Sequence, residues 1–161
     1  SWSRGLGDVY KRQLQFFENS KTIINKLRPL NDVGLGYLKL GQSSSTLSGG
    51  EAQRLKLASY LIQDNKVSKN NSLFIFDEPT SGLHNMDIEN FMKSVNDLIA
   101  RDNSVIIIEH NTELIKQADW IIDMGPGGGE NGGTICFEGE PTELVNTNNN
   151  KTGKYLRKMF V

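Results

Sequence analysis

Cysteine is all but missing from this chain. Cys136 is the single one in 161 residues, which excludes an internal disulfide and an all-cysteine zinc site. Its place in the strand-like TICFEG predicts a packed core thiol. Also missing is any apolar run near the ~20 residues that a membrane helix needs, so a cytoplasmic protein with no membrane contact is expected. Neither sign of charge is in surplus. Lys and Arg number 18 against 19 Asp and Glu, a formal net charge of -1. That balance leaves no basic footprint for nucleic acid, so any DNA contact has to rest on local patches or on parts outside this segment. No G-x-x-x-x-G-K-[ST] occurs, so the loop that cradles phosphates and supplies a lysine is lacking. What remains is ordinary for a soluble domain of this length, 37% hydrophobic and 23% charged.

Against these absences one stretch stands out, LFIFDEPTSGLH from Leu73 to His84. Leu73, Phe74, Ile75 and Phe76 show no alternation, which predicts a strand covered on both faces, as in a parallel sheet. Asp77 and Glu78 then fall at the strand's carboxyl end, where ligands of open α/β sheets bind. Pro79, Thr80, Ser81 and Gly82 supply turn chemistry. Adjacent acids after such a strand suit nucleoside triphosphate hydrolysis, one helping to hold Mg²⁺ and the other activating water. Solvated acids beside a turn are the plain alternative, and the neighbouring motifs decide between them.

A second stretch, from Asp32 to Gln63, runs from a Ser/Gly loop into a helix with Leu55, Ala58, Leu61 and Ile62 on one face. Ser48 can cap that helix. Gly49 and Gly50 leave backbone N–H groups open at its N-terminus, where a phosphate is favoured; taken alone, the tripeptide could equally be a flexible cap. Any side chain at Gly50 is expected to block a phosphate while leaving the fold intact. Further on, Ile88, Phe91, Met92, Val95, Leu98 and Ile99 predict a helix over 85–100. Val105 to Ile108 predict a second parallel-type strand that brings Glu109 and His110 to the edge holding Asp77 and Glu78.

The remaining segments carry less chemistry. Residues 1–13 read as a leader outside the fold, and 14–161 as the folded part. A helix is expected from Leu14 to Leu27, ended by Arg28-Pro29. Asn111 should cap a short helix through Ala118, Trp120 to Asp123 should form a strand, and MGPGGGENGG a structural loop. Thr134 to Phe137 follow as the last strand, then a helix from Pro141 to Val145 and a short terminal helix.

LSGGEAQR resembles the signature motif of ATP-binding-cassette (ABC) ATPases, FIFDEP their Walker B segment, TSGLH their D-loop and IIIEH their switch-histidine strand, in the same order. Within that superfamily, VGLGYLKLGQ, ADWIIDMGPGGGENGG and TGKYL resemble the carboxyl-terminal part of the UvrA family of DNA-repair ATPases. Glu51 and His84 stand where transporter cassettes usually carry glutamine and aspartate. The resemblance implies an α/β fold, a partial ABC-type parallel sheet with flanking helices lacking the Walker A half. It implies ATP and Mg²⁺ as cofactors, with Asp77 serving Mg²⁺, Glu78 the water and His110 the γ-phosphate. Ser48, Gly49, Gly50 and Glu51 would meet the ATP of an opposing cassette, and Ser81 and Gly82 would lie in the D-loop. It further implies damaged double-stranded DNA, a UvrB-like repair subunit and a second copy as partners of a full-length protein. Zinc is expected there but not in this segment, whose cysteine pairs are absent. Paralogues of the family, and a non-catalytic interaction fragment, stay open on the sequence.

Overall fold

A computed structural model of the chain describes residues 6–63, 71–129 and 132–159, and these fall into two units, Ser1–Glu109 and His110–Val161. In the first unit the chain forms α1 (Leu6–Phe16), α2 (Lys21–Asp32), a 3₁₀ turn (Ser44–Thr46), α3 (Gly49–Gln63), β1 (Leu73–Asp77), α4 (Asn85–Ile99) and β2 (Ser104–Ile108). β1 and β2 pair in parallel, Leu73 opposite Ser104 and Asp77 opposite Ile108. Parallel neighbours need a crossover, and α4 provides it. Its buried residues Ile88, Phe91, Met92, Val95 and Leu98 repeat at the helical period, and Phe91 meets the inner face of β1. The Phe76 ring stands edge-on to Phe91 with centroids 5.9 Å apart, and Tyr60 of α3 meets Phe74 at 4.7 Å. At the start of β2 the Asn103 side chain closes the turn, donating to the Leu98 carbonyl (2.9 Å) and accepting from the Ser72 N–H (3.1 Å).

Only one face of this strand pair is covered. Leu73 is 58% exposed, Ile75 62%, Ile106 51% and Ile108 55%, so the expected burial of both faces does not hold. The side chains of a strand alternate, and those opposite Phe74 and Phe76 point away from the helical side. The result is an open apolar face.

The amino-terminal helices differ from the sequence pattern. The single helix expected from Leu14 to Leu27 is two, α1 and α2, broken at Glu18-Asn19-Ser20, residues that favour turns. Leu6 to Gln13, read as leader, are helical, and the Gln13 side-chain amide donates to the Leu38 carbonyl at 3.0 Å; residues 1–5 lie outside the described residues. Pro29 does not end α2, which runs to Asp32. Gly34, at φ 74°, closes the helix, with Leu35 N–H reaching the Leu30 carbonyl at 2.8 Å. Burying Val33 and Leu35 at 0% and 1% exposure offsets the roughly 3 kcal/mol that an interior proline costs, at about 1.5–3 kcal/mol per side chain.

The second unit holds α5 (Thr112–Ile115), β3 (Ile121–Gly125), β4 (Thr134–Gly139), α6 (Pro141–Asn146), α7 (Lys151–Leu156) and a final 3₁₀ turn (Arg157–Met159). Caps set its short helices: Asn111 accepts from Glu113 N–H (2.9 Å), and Asn150 from Gly153 N–H (2.7 Å). β3 and β4 pair antiparallel, so parallel pairing is confined to β1 and β2 among the described residues. Ile121, Leu144 and Leu156 form the core, with Ile115, Ala118, Phe137 and Val145 packed against it. Asp123 accepts from Asn150 (2.8 Å) and Thr152 (2.9 Å), pinning the polar linker to β3. Cys136 is exposed rather than packed. It alternates with Phe137, which takes the covered side of the ladder. The glycine-rich run joins β3 to β4, with Glu130 and Asn131 outside the described residues, as are Phe160 and Val161 of the expected terminal helix.

Phe91→Ala is expected to lower unfolding stability by about 3–5 kcal/mol, and Ile75→Ala by under about 1 kcal/mol, because only the first leaves a cavity. Denaturant unfolding of the two variants beside the parent checks the contrast.

Candidate functional site

The turn after β1 is built around Glu78, whose backbone lies in the left-handed region at φ 47°, a conformation a non-glycine residue adopts only when its surroundings impose it. Its N–H donates to the Ile108 carbonyl at 2.9 Å, and its carbonyl accepts from Ser81 N–H at 3.2 Å. Thr80, 5% exposed, donates its N–H to Glu109 Oε1 at 2.9 Å and its hydroxyl to the same oxygen. The Thr80 carbonyl then accepts from Leu83 N–H at 3.0 Å. Gly82 takes φ 77° with open space on its Cα, as a turn there requires, and His84 begins α4 as its N-cap residue. Asp77, Glu78, Ser81 and Gly82 are all exposed.

α3 docks onto this turn through side chains that the motif reading passed over. The Gln53 amide bridges the backbone of Asp77, donating to its carbonyl (3.0 Å) and accepting from its N–H (2.9 Å). The Arg54 guanidinium, 1% exposed, donates to the Pro79 carbonyl. Burial pulls the Arg54 pKa down, while Tyr37 and Glu51 nearby act the other way. The buried stripe of α3 is therefore Gly50, Arg54, Leu57 and Ala58. Leu55, Leu61 and Ile62 of the expected face are half-buried, because the arginine conceals the true period.

The start of α3 carries a reciprocal cap. Ser48 Oγ accepts from Glu51 N–H (3.3 Å), and Glu51 Oε2 accepts from Ser48 N–H (2.6 Å). The other Glu51 oxygen accepts from the Tyr37 hydroxyl. That bond, first, and the Ser48 N–H hold the Glu51 carboxyl below its usual range. Burial and the same bond push Tyr37 up to about 12. Both Glu51 oxygens are thus engaged within the chain.

The two glycines differ. A Cβ on Gly49 would meet nothing within 4 Å. One on Gly50 would lie 3.3 Å from both Arg54 Nη1 and the Glu78 carbonyl oxygen. Gly50 is therefore also a packing glycine, where a side chain would press on Arg54 and the Glu78 carbonyl; Gly49 is the position that faces open space.

β2 brings Glu109 to the edge occupied by Asp77 and Glu78, and exposed His110 is the next residue, the first of the second unit. No group of three His, Cys, Asp or Glu able to hold a metal occurs among the described residues. Mg²⁺ sites commonly rest on one or two carboxylates plus phosphates and water, and the exposed carboxylate of Asp77 fits such an ion as a partial ligand. A cleft of the first unit, between Pro29, Asp32, Asn90, Lys93, Asp97 and Arg101, contains none of these residues.

A parallel strand ending in acids, with a glycine-started helix locked onto the turn behind it, is the arrangement of the signature and Walker B portion of an ABC-type fold. Comparison with known proteins narrows the class. No family model matches the chain. It is 51% identical over 147 residues to UvrABC system protein A of Mycoplasmopsis pulmonis, 53% over 146 to that of Staphylococcus aureus strain COL and 52% over 143 to that of Aquifex aeolicus. These matches cover 91%, 91% and 89% of the chain and 15% of each relative. The crystal structure of UvrA2 from Deinococcus radiodurans superposes with a TM-score of 0.78 at 38% identity, covering 96% of this chain and 18% of that one. The chain belongs to the UvrA family, as a segment spanning about 15% of the length of these relatives.

Gly49→Ala should leave the melting temperature unchanged or raise it, since alanine gains up to about 1 kcal/mol of helix propensity, whereas Gly50→Ala should lower it. Thermal unfolding of both variants tests this. The depressed Glu51 pKa gives a pH signature as well. Its contribution is present above the unfolded carboxyl pKa and is lost as pH falls through the lower folded value. Glu51→Gln should therefore flatten the acid limb of stability against pH, as read by melting temperatures between neutral pH and pH 3.

Proposed function

We propose that this segment supplies the signature motif, acidic strand end, D-loop and switch histidine of an ATP-hydrolysing cassette in a UvrA-type nucleotide excision repair protein. The observation that carries the reading is the docking of α3 on the Glu78 turn. It holds the helix start at Gly49 and the two acids of the strand end in one fixed frame. In this reading Asp77 helps hold Mg²⁺ through water, and the ion supplies charge neutralisation for the phosphates. Glu78 accepts the proton of the attacking water, a role that suits its exposed carboxylate on a rigid turn. His110 donates to the γ-phosphate. Ser48, Gly49 and Gly50 present N–H groups and a hydroxyl to the nucleotide of an opposing cassette, whose Walker A loop this sequence lacks. Glu51 acts through its cap rather than by direct contact, since its oxygens are already engaged. Ser81 and Gly82 form the D-loop beside that nucleotide.

In the full-length protein, hydrolysis would be coupled to the search for damage in double-stranded DNA and to loading of a UvrB-like subunit, in a cytoplasmic homodimer. Zinc would belong to other parts of that protein. Identities of 51–53% to UvrABC system protein A, against 38% to UvrA2, support the repair protein over a paralogue. No helix among the described residues is long and apolar enough to cross a membrane.

Glu78→Gln in the full-length protein should lower turnover by roughly 10² or more with nucleotide binding retained, because the base is lost and the shape kept. Near-parental turnover would place the base elsewhere. The segment alone should bind Mg-ATP weakly; a micromolar Kd by calorimetry, about -8 kcal/mol, would contradict the assignment of the phosphate cradle to another part of the protein.

A further inference from the structure

We infer that Glu109 is a positioning residue that sets the aim of Glu78 by holding Thr80; the inference rests on the hydrolytic reading above. The left-handed turn at Glu78 is hung on the last two residues of the β2 strand line. Ile108 holds it through its carbonyl, which takes the Glu78 N–H at 2.9 Å. Glu109 holds it through one carboxylate oxygen, which takes both the N–H and the hydroxyl of Thr80. Thr80 is 5% exposed, so these donors have little access to water, and a charged acceptor is the strong partner for them. Two donors of one residue, a backbone N–H and a side-chain hydroxyl, converging on one oxygen fix where the peptide between Pro79 and Thr80 lies. With Ser81 N–H bound to the Glu78 carbonyl and Leu83 N–H to the Thr80 carbonyl, that peptide fixes the whole turn.

Glu109 has no place of its own in the proposed chemistry. It reaches the turn through Thr80, and the next residue in the chain is His110. Its carboxylate is bonded to the turn that carries the base. Removing it leaves Glu78 in place but lets its turn relax from the strained backbone, which costs catalysis rather than nucleotide affinity.

The test is a double-mutant cycle in the full-length protein. Glu109→Ala should lower kcat for ATP at least about tenfold while KM changes less than about threefold. Glu109→Gln, which keeps an acceptor oxygen, should recover most of the loss. Thr80→Val, which deletes one of the two donors, should fall between, and serves if Glu109→Ala does not fold. Glu78→Gln combined with Glu109→Ala should be no slower than Glu78→Gln alone, because an aimed base that is absent cannot be misaimed. A structural role alone predicts a lowered melting temperature and independent, multiplying losses in kcat. Multiplying losses, or parental kcat in both Glu109→Ala and Thr80→Val with Glu78→Gln inactive, would overturn the inference and leave the hydrolytic reading standing. Parental turnover in Glu78→Gln, or no hydrolysis in the parent, would overturn both.

Discussion

The left-handed backbone of Glu78 is the constraint on which the first unit turns. A non-glycine residue there costs on the order of 1–3 kcal/mol. Stability comes from three directions: Gln53 on the Asp77 backbone, Arg54 on the Pro79 carbonyl, and Ile108 with Glu109 on Glu78 and Thr80. Each anchor comes from a different part of the chain than the turn itself. The strain is tolerated because α3, β1 and β2 are already packed, and the packing in turn leaves room for only one path of the turn.

A second consequence is that the helix carrying the signature glycines and the strand end carrying the acids behave as one body. Gly50 lies against the Glu78 carbonyl, so the backbone of the two motifs is in van der Waals register. Ser48 and Glu51 close the helix start between themselves, and Tyr37 clamps Glu51 from the preceding loop. A phosphate bound at the Gly49 helix start would therefore press on a helix whose next turn holds Asp77 and Pro79 directly. A rigid connection of this kind transmits displacement without needing a flexible relay.

The sequence displays its periodic features openly and hides its side chain to backbone bonds. The α4 helix, both parallel strands, the Asn111 cap and the Pro141 helix start are all legible, because hydrophobic spacing and capping chemistry are local. Gln53, Arg54 and Glu109 are not legible as anchors, since each meets backbone or side-chain groups 24 to 29 residues away. Arg54 even obscures the buried stripe it belongs to, a charged residue at a core position. Pro29 misleads for the opposite reason: its local meaning is helix termination, and tertiary burial of Val33 and Leu35 carries the helix past it. The S-x-x-E spacing of Ser48 and Glu51 is a visible signal for a capping box, and the two residues form it at the start of α3.

The apolar run LFIF, followed 32 residues later by VIII, describes surroundings larger than the segment. Strands this uniformly apolar belong in sheets covered on both faces, yet Leu73, Ile75, Ile106 and Ile108 are each more than half exposed. Periodicity in a sequence reports the environment in which the strand is used, which here belongs to a protein whose known relatives are several times longer. The inner face, with Phe74 and Phe76 against Tyr60 and Phe91, is complete within the segment. With the parallel ladder it aligns β1 with β2, so the segment carries the geometry of the acidic turn even with the outer face open.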